Sequence, residues 1–252
     1  MKNIKLTIEY VGQNYCGWQK QKNGLSIQEV ITSAIFSVTG EKVALSGSGR
    51  TDSGVHAAGQ VANFQTTSTI PPDRFSLALN AILPQDISIV SSEEVREDFH
   101  SRYSAVGKTY RYYIWNAPTR SAIFANNSYF VDNPLDINVM NISAQSFVGI
   151  HDFKAFMASG SKVKSTEREI LSAKVFPVRE TFSGSEGNLI CIEVTGTGFL
   201  YNMVRIISGT LMEVGVGKYP LEKVKAALEI GDRKLAGQTL PACGLFLYKV
   251  FY

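Results

Sequence analysis

Cysteine, histidine and long apolar runs are all scarce in this sequence. Its three cysteines, Cys16, Cys191 and Cys243, lie far apart and none belongs to a CxxC pair. This spacing favours neither a disulfide framework nor a zinc ribbon, so we expect reduced, mostly buried thiols. No apolar run approaches the roughly 20 residues of a membrane helix, and the first residues alternate between polar and apolar instead of forming a signal-peptide core. These absences predict a cytoplasmic protein without a membrane segment.

An excess of charge of one sign is also missing. The chain has 25 Lys and Arg against 22 Asp and Glu, so a formal charge of +3 neither demands nor excludes a nucleic-acid partner. Any basic surface must therefore be local. At 252 residues and 44% hydrophobic content, the chain is too apolar for intrinsic disorder and fits one large or two small domains.

The first half of the chain alternates strand and helix patterns. Residues 3–10 place apolar side chains on one face, and Ser26 with Glu29 forms a capping box before a helical stripe that Gly40 can end. Together these patterns predict the order strand, helix, strand, strand, helix, strand, which is the split βαβ order of ferredoxin-like folds. The predicted strands are 3–10, 42–49, 59–65 and 86–91, and the predicted helices run from Ser26 to Gly40 and from about Pro72 to Pro84.

The second half can be interpreted in the same way. Strands are predicted at 107–116, 170–178, 189–195 and 245–251, with helices at 143–156, at 199–213 and after Pro220. We therefore predict an α/β (α+β) protein of two ferredoxin-like halves, residues 1–105 and 106–252. No Pro/Gly-rich linker separates them, so we expect the halves to share a mixed, mainly antiparallel central sheet or a tight interface.

The segment GSGRTDSGVHAAGQ, residues 47–60, is the most unusual in the chain. Asp52 lies between glycines, with Arg50 two residues before it and His56 four residues after it. A carboxylate on such a turn can be a nucleophile, a general base or a metal ligand. It can equally be a hairpin in which Asp52 satisfies turn amides. On residue types alone the structural interpretation is favoured.

Basic and aromatic residues alternate in FHSRYSAVGKTYRYYIWN, residues 99–116. This pattern suits RNA, because cations neutralise phosphates and rings stack on unpaired bases. It is equally typical of ordinary strands, where aromatic residues are common and exposed Lys and Arg maintain solubility.

Three other segments carry weaker signals. Arg205 lies among apolar neighbours on a predicted helix, so either it has an anionic partner or it extends to solvent. His151 and Asp152 could ligate a metal or act as an acid–base pair, but no metal-ligand spacing supports this. The run 159–168 is basic and rich in Gly and Ser, and it predicts a loop that is solvated or faces phosphates.

Taken together, these segments resemble the family of tRNA pseudouridine synthase A, the TruA family. The resemblance covers nearly the whole length, and RTDSGVHA is its most specific block. The matching blocks, in order, are YVGQNYCGWQKQ with SIQ, GSGRTDSGVHAAGQVANF, LPQDISI, DFHSRYSAVGKTYRYYI, HDFKAF, GFLYNMVRIISGTLMEVGVGK and GLFLYKVFY.

The resemblance implies an isomerase without cofactor or metal that converts uridines 38, 39 and 40 of the tRNA anticodon stem and loop to pseudouridine. It implies a cleft between the two halves and a homodimer in which one tRNA contacts both subunits. Five residues match the family's site: Asp52 as nucleophile, Tyr110 as stacking group and general base, Arg205 as ion-pair partner of Asp52, and Arg50 and Leu245, with Tyr110, as substrate-binding residues.

Two other functions remain open from the residues alone. A non-catalytic RNA-binding module would share the repeated βαββαβ order, although stacking does not require the GRTDSGVHA turn. A metal-dependent hydrolase would use Asp52, His56 and His151, although these residues lack ligand spacing.

Overall fold

The computed structural model describes residues 1–22, 24–160, 163–179 and 187–252. Within these ranges the chain forms ten strands and five α-helices, a mixed α+β fold as predicted. The strands are β1 (Lys2–Tyr10), β2 (Ser46–Gly47), β3 (His56–Thr66), β4 (Ile87–Val95), β5 (Gly107–Asn116), β6 (Tyr129–Val131), β7 (Gly149–Asp152), β8 (Glu167–Val178), β9 (Asn188–Gly196) and β10 (Leu245–Phe251). The helices are α1 (Ile27–Thr39), α2 (Phe75–Asn80), α3 (Ile137–Ala144), α4 (Met203–Gly215) and α5 (Glu222–Ile230). None of the helices in these ranges has the length and apolar content needed to cross a bilayer.

The chain forms two compact units. One contains Met1–Val106 together with Phe246–Tyr252, and the other contains Gly107–Leu245. The predicted division into 1–105 and 106–252 places the last seven residues with the second half instead. They group with the first unit because β10 pairs in parallel with β3, with Phe246 opposite His56.

The first unit has the strand order and directions of a split βαβ fold. β1 lies between β3 and β4 and is antiparallel to both, and β2 pairs antiparallel with the other edge of β3. The apolar face predicted for β1 is fully buried at Ile4, Leu6 and Ile8. The Ser26 half of the predicted capping box forms, since the Ser26 side chain accepts from the Glu29 amide, while the Glu29 carboxylate pairs with Lys20 at 3.0 Å. Gly40 ends α1 in the left-handed region, as predicted.

The strand predicted at 42–49 is mostly wrong. Only Ser46 and Gly47 pair with β3, which itself begins at His56 rather than at 59. Residues 41–45 are not in a strand, and at this edge the Glu41 carboxylate, rather than a strand carbonyl, accepts from the Thr67 amide at 3.1 Å. The second helix is also shorter than predicted, since a 3-10 turn precedes α2 and α2 ends at Asn80.

The second unit contains an antiparallel run of strands in the order β5-β9-β8-β7, with β6 parallel to β5. The strands predicted at 107–116, 170–178 and 189–195 are confirmed. α4 is buried along nearly its whole length, which agrees with the apolar stripe predicted there, although the helix begins at Met203 rather than at 199.

The helix predicted at 143–156 is wrong. The region forms two 3-10 turns around the short strand β7, and α3 lies earlier, at Ile137–Ala144. The helix was predicted from Phe147, Ile150 and Phe153 on one face. Phe147 and Phe153 are fully buried, with ring centroids 6.3 Å apart, but Ile150 is 63% exposed. Gly149, at φ 111°, interrupts the helical path between them. The missed signal is Asp136, whose carboxylate caps α3 by accepting from Val139 N.

The basic loop predicted at 159–168 is only partly within the described residues. Residues 161–162 lie outside them, and Glu167 and Arg168 belong to β8 instead of to a loop.

Candidate active site

Asp52 and Arg50 lie on a loop that connects β2 to β3 in the first unit, residues 48–55. Its first part is held by β3: the Ser48 amide donates to Val61 O at 2.7 Å, and the Ser48 hydroxyl donates to Gln60 Oε1 at 2.6 Å. The buried Gln60 side chain also donates to Gly49 O at 3.0 Å. These bonds fix the backbone immediately before Arg50, whose side chain is exposed.

The middle of this loop is fixed from the N-terminal side of the chain. The hydroxyl groups of Tyr10 and Thr51 share a buried hydrogen bond of 2.7 Å, and Trp18 N donates to Thr51 O at 3.1 Å. Burial raises the pKa of the Tyr10 phenol well above its usual range, an effect that its hydrogen bond to Thr51 partly offsets. Tyr10 therefore remains a neutral hydrogen-bonding group and does not supply a charge next to Asp52.

Asp52 itself begins a tight turn. Val55 N donates to Asp52 O at 3.1 Å, and Gly54 takes a φ of 78° that favours glycine. Gly17 packs against the turn so closely that a Cβ there would lie 2.5 Å from Thr51 O. The backbone of Asp52 is thus enclosed while its side chain stays partly exposed, an arrangement that suits a carboxylate meant to contact a substrate.

His56 has a structural place at the start of β3. Its ring is fully buried and stacks on Phe246 with centroids 4.6 Å apart, and its Nδ1 accepts from Gly12 N at 3.2 Å. The imidazole therefore helps to hold the loop after β1 against the Asp52 turn.

Tyr110 lies on β5 of the second unit, opposite Val194 of β9. It is half-buried, and the edge-to-face contact with Phe199, at a centroid distance of 4.9 Å and an interplanar angle of 76°, orients its ring. Phe199 was predicted on the helical stripe of α4 but precedes that helix, and its contact with Tyr110 was not predicted.

Arg205, in the first turn of α4, is held by two neutral oxygens of the same unit. Its Nε donates to Leu240 O at 2.6 Å and its Nη1 donates to Asn202 Oδ1 at 2.7 Å, while Arg205 O accepts from Leu240 N at 3.3 Å. Asn202 precedes α4 at φ 59°, a left-handed conformation that Asn tolerates better than most residues. The guanidinium is therefore oriented from both sides.

Leu245 is buried at the start of β10 and is positioned through Tyr112. The Tyr112 hydroxyl donates to Pro241 O at 2.8 Å, and Gly244 packs against the ring, since a Cβ there would lie 2.7 Å from it. Burial raises the pKa of Tyr112 above its usual range, so the phenol remains a donor. Tyr112 and Arg205 thus bind adjacent carbonyls of one segment, residues 240–245.

Sequence reasoning placed Tyr112 only among the aromatic residues of 99–116 that could stack on RNA, and it did not single out Asn202. Tyr112 follows Tyr110 by two residues and therefore shares its face of β5, which the strand alternation already indicates. Asn202 carries a weaker signal, since Asn is among the few residues that adopt the left-handed conformation before a helix.

The pair His151 and Asp152, considered above as metal ligands or as an acid–base pair, has structural partners. His151 Nε2 lies 3.0 Å from Val148 O, and Asp152 Oδ1 accepts from Lys154 N at 2.9 Å. Across the ranges that the structure describes, no group of three or more His, Cys, Asp and Glu side chains could hold a metal ion.

Comparisons with known proteins agree on one family. A family model described as tRNA pseudouridine synthase matches residues 6–104 and 143–252. Proteins named tRNA pseudouridine synthase A from Acetivibrio thermocellus, Ruminiclostridium cellulolyticum and Clostridium acetobutylicum are 51%, 52% and 48% identical, each over 100% of both chains. Because both the family model and these relatives cover the loop with Asp52 and the helix with Arg205, the chain belongs to the tRNA pseudouridine synthase family.

Proposed function

We propose that this protein isomerises uridine to pseudouridine in tRNA, at positions 38, 39 and 40 of the anticodon stem and loop. The observation that carries this proposal is the full-length identity of about half to relatives named tRNA pseudouridine synthase A. The positions themselves follow from the resemblance of the sequence blocks to that family. The second unit contributes a strand-borne tyrosine and an oriented arginine, and the first contributes a partly exposed carboxylate on a fixed turn.

The reaction rearranges the atoms of one nucleotide. The C1′–N1 bond breaks, the uracil rotates, a C1′–C5 bond forms, C5 loses its hydrogen as a proton, and N1 gains a proton. The nucleotide loses one proton at C5 and gains one at N1, and it exchanges no other atom or electron with its surroundings. The reaction therefore needs only proton-transferring and nucleophilic groups, which side chains of this protein can supply.

We assign the nucleophile to Asp52. A carboxylate is ionised at neutral pH and can attack C1′, attack C6 or assist an elimination from the sugar. Each route needs the carboxylate next to the sugar–base junction, so the target nucleotide must leave its stack. That costs a few kcal/mol and costs least in a loop or at the end of a stem.

The second unit supplies the groups that would recognise the uracil. Tyr110 can stack on the base and accept the proton released from C5, and its contact with Phe199 limits the rotation of its ring. Leu245 would contribute an apolar wall to the base pocket.

Arg205 is assigned as the ion-pair partner of Asp52, and Arg50 as the residue that helps to displace the base. A guanidinium already oriented by Leu240 O and Asn202 Oδ1 loses little freedom when it binds a carboxylate. Such a cation favours the ionised form of the carboxylate and therefore keeps the nucleophile active.

A homodimer that binds one tRNA across both subunits completes the proposal. A subunit of 27.7 kDa with a net charge of +3 has little excess positive charge to spread along a tRNA. Two subunits related by a twofold axis would join their basic segments into a longer surface. Sedimentation at micromolar concentration should show a dimer, and a monomer with full activity on intact tRNA would contradict it.

The function is tested by tritium release from unmodified tRNA that carries uridine labelled at C5. Every pseudouridine formed releases one label, so we expect release from tRNA with uridine at positions 38–40. Matched transcripts with cytidine at all three positions should release no label. Equal release from both transcripts would refute the positions, and no release from either would refute the activity.

A further inference from the structure

The loop at residues 99–104 of the first unit, FHSRYS, has a part that the proposed mechanism does not use. Tyr103 is 77% exposed, more than any other aromatic side chain in the described part of the chain. Its ring packs against His100 with centroids 4.4 Å apart, and the Arg102 guanidinium lies 5.6 Å from the ring centroid. We call these three side chains the Tyr103 platform.

The backbone under the platform is pinned to the body of the unit. Ser101 is fully buried: its amide donates to Asn63 Oδ1 at 2.9 Å and its hydroxyl donates to Ser46 O at 2.6 Å. Ser101 O also accepts from the Tyr252 hydroxyl at 2.7 Å. Three bonds to three separate segments hold one residue, so the neighbouring side chains project from a fixed base.

His100 fixes the turn from within the loop. Its Nδ1 accepts from the amides of Arg102 and Tyr103, at 3.1 and 3.4 Å. The imidazole therefore fixes the backbone of these two residues and also packs against the Tyr103 ring. His100 and Ser104 close the turn with two further bonds, from His100 N to Ser104 Oγ and from Ser104 N to His100 O. An exposed aromatic ring held in this way binds a flat partner with little loss of side-chain entropy.

The cation of the loop itself is Arg102. Four acidic residues precede the loop, at positions 93, 94, 97 and 98; Glu93 pairs with Lys5 at 2.7 Å and Asp98 pairs with Arg96 at 2.8 Å. Arg102 lies over the Tyr103 ring, where it can reach a phosphate next to a base stacked on that ring. A cation beside an exposed ring is the arrangement that unpaired nucleotides bind.

We propose that the Tyr103 platform binds an unpaired nucleotide of the tRNA substrate, with the base stacked on Tyr103 and its phosphate near Arg102. This rests on the proposed function for the identity of the RNA. It adds a substrate contact on the first unit that is separate from Asp52 and Arg50.

Binding of unmodified tRNA transcript, measured by fluorescence anisotropy, tests the platform. Tyr103→Leu keeps apolar bulk but removes the π-face, so its Kd should rise about fivefold or more, the effect expected from one lost base stack. Tyr103→Phe should bind within about twofold of the wild type, because the ring remains. The control is Ile230→Ala on α5, which truncates a side chain that is 68% exposed and should leave Kd unchanged. Unchanged binding by Tyr103→Leu, or an equal loss in the control, overturns the proposal.

Two further variants separate the roles of the cation and the histidine. Arg102→Gln should reduce the slope of log K against log salt by about one, the effect of one lost phosphate contact. His100→Ala should weaken binding, and His100→Asn, whose Oδ1 can accept from the same amides, should restore part of it. An unchanged slope for Arg102→Gln would show that Arg102 does not contact a phosphate of the tRNA.

Photo-crosslinking of tRNA that contains 4-thiouridine gives a result that does not depend on activity. We expect a crosslinked peptide that contains Tyr103 in the wild type and its loss in Tyr103→Leu. If this crosslink forms but C5 tritium is not released, the proposed function fails while the platform stands. If tritium is released but no crosslink forms at Tyr103, only the platform fails.

Discussion

The two units hold their candidate residues in different ways. In the first unit Arg50 and Asp52 lie on a loop, and its shape depends on close backbone packing against Gly17 and on buried side chains such as Gln60. In the second unit Tyr110 lies on a strand and Arg205 on a helix, so regular backbone hydrogen bonds already fix their positions.

This difference predicts which substitutions disturb the candidate residues of each unit. A loop keeps its shape only if every contact beneath it is present, so small changes distant from Asp52 can move the carboxylate. The positions of residues on a strand or a helix tolerate such changes better. In the second unit we therefore expect activity to depend most on the hydrogen bonds that orient individual side chains. The following substitutions test this contrast, in order of decreasing expected effect.

Asp52→Asn should abolish the reaction. The amide keeps the shape of the side chain but cannot act as a nucleophile, so C5 tritium release should fall at least about 10⁴-fold. Binding of tRNA should stay close to that of the wild type. Release within tenfold of the wild type would exclude Asp52 from the chemistry.

Arg205→Met tests the proposed ion pair between Arg205 and Asp52. Removing the cation should lower turnover about 100-fold. The pKa of a carboxyl rises when a nearby cation is lost, so the acidic limb of the pH–rate profile should move to higher pH. A profile with an unshifted acidic limb would show that Arg205 does not pair with Asp52.

Gly17→Ala tests the packing beneath the loop. Its Cβ would lie 2.5 Å from Thr51 O, and its φ of 106° is unfavourable for alanine, so we expect turnover to fall about tenfold and the free energy of unfolding to fall by about 2 kcal/mol. Gly40→Ala is the matched control, because Gly40 has a φ of 73° and no atom within 4 Å of the added Cβ. The control should lose about 1 kcal/mol of stability and keep its turnover. Equal turnover in the two variants would mean that the contact with Gly17 does not position Asp52.

Asn202→Gly should have the smallest effect. Glycine accepts the left-handed backbone at this position but removes Oδ1, one of the two acceptors that orient Arg205. Turnover should fall about fivefold, the effect of one lost hydrogen bond, while Leu240 O still holds Nε. Asn202→Ala should lower stability further without a further loss of turnover. A wild-type rate for Asn202→Gly would leave the Leu240 carbonyl as the sole orienting group among these contacts.

The local patterns of the sequence predicted the elements whose stability is local or periodic. β1 was predicted from alternation and α1 from its capping box, because a strand face and a helix cap are each set by a few neighbouring residues. The helix at 143–156 was predicted from the spacing of Phe147, Ile150 and Phe153, but successive turns bury Phe147 and Phe153 and leave Ile150 exposed. Only Gly149, at a positive φ, marked the interruption.

The candidate site shows the same division. Its five residues were identified through resemblance, since residue types alone favoured a structural hairpin turn for Asp52. Their roles remain proposals, but their surroundings are now defined for each unit. Arg205 contacts Leu240, 35 residues along the chain, and Tyr112 contacts Pro241, 129 residues along the chain. Neither the period of a helix nor that of a strand predicts contacts over such distances in sequence. Asn202 contacts Arg205 from only three residues away.

The sequence by itself determined the family, the strand and helix order of the first half, and the residues that resemble a uridine-isomerising site. The tertiary structure decided that the last strand groups with the first unit, which residues hold the Asp52 loop, and that Tyr103 projects from a pinned turn. The reason is that strand faces and helix caps depend on residues close together in the chain. The shape of a loop and the orientation of a buried side chain depend on partners that only folding brings within hydrogen-bond distance.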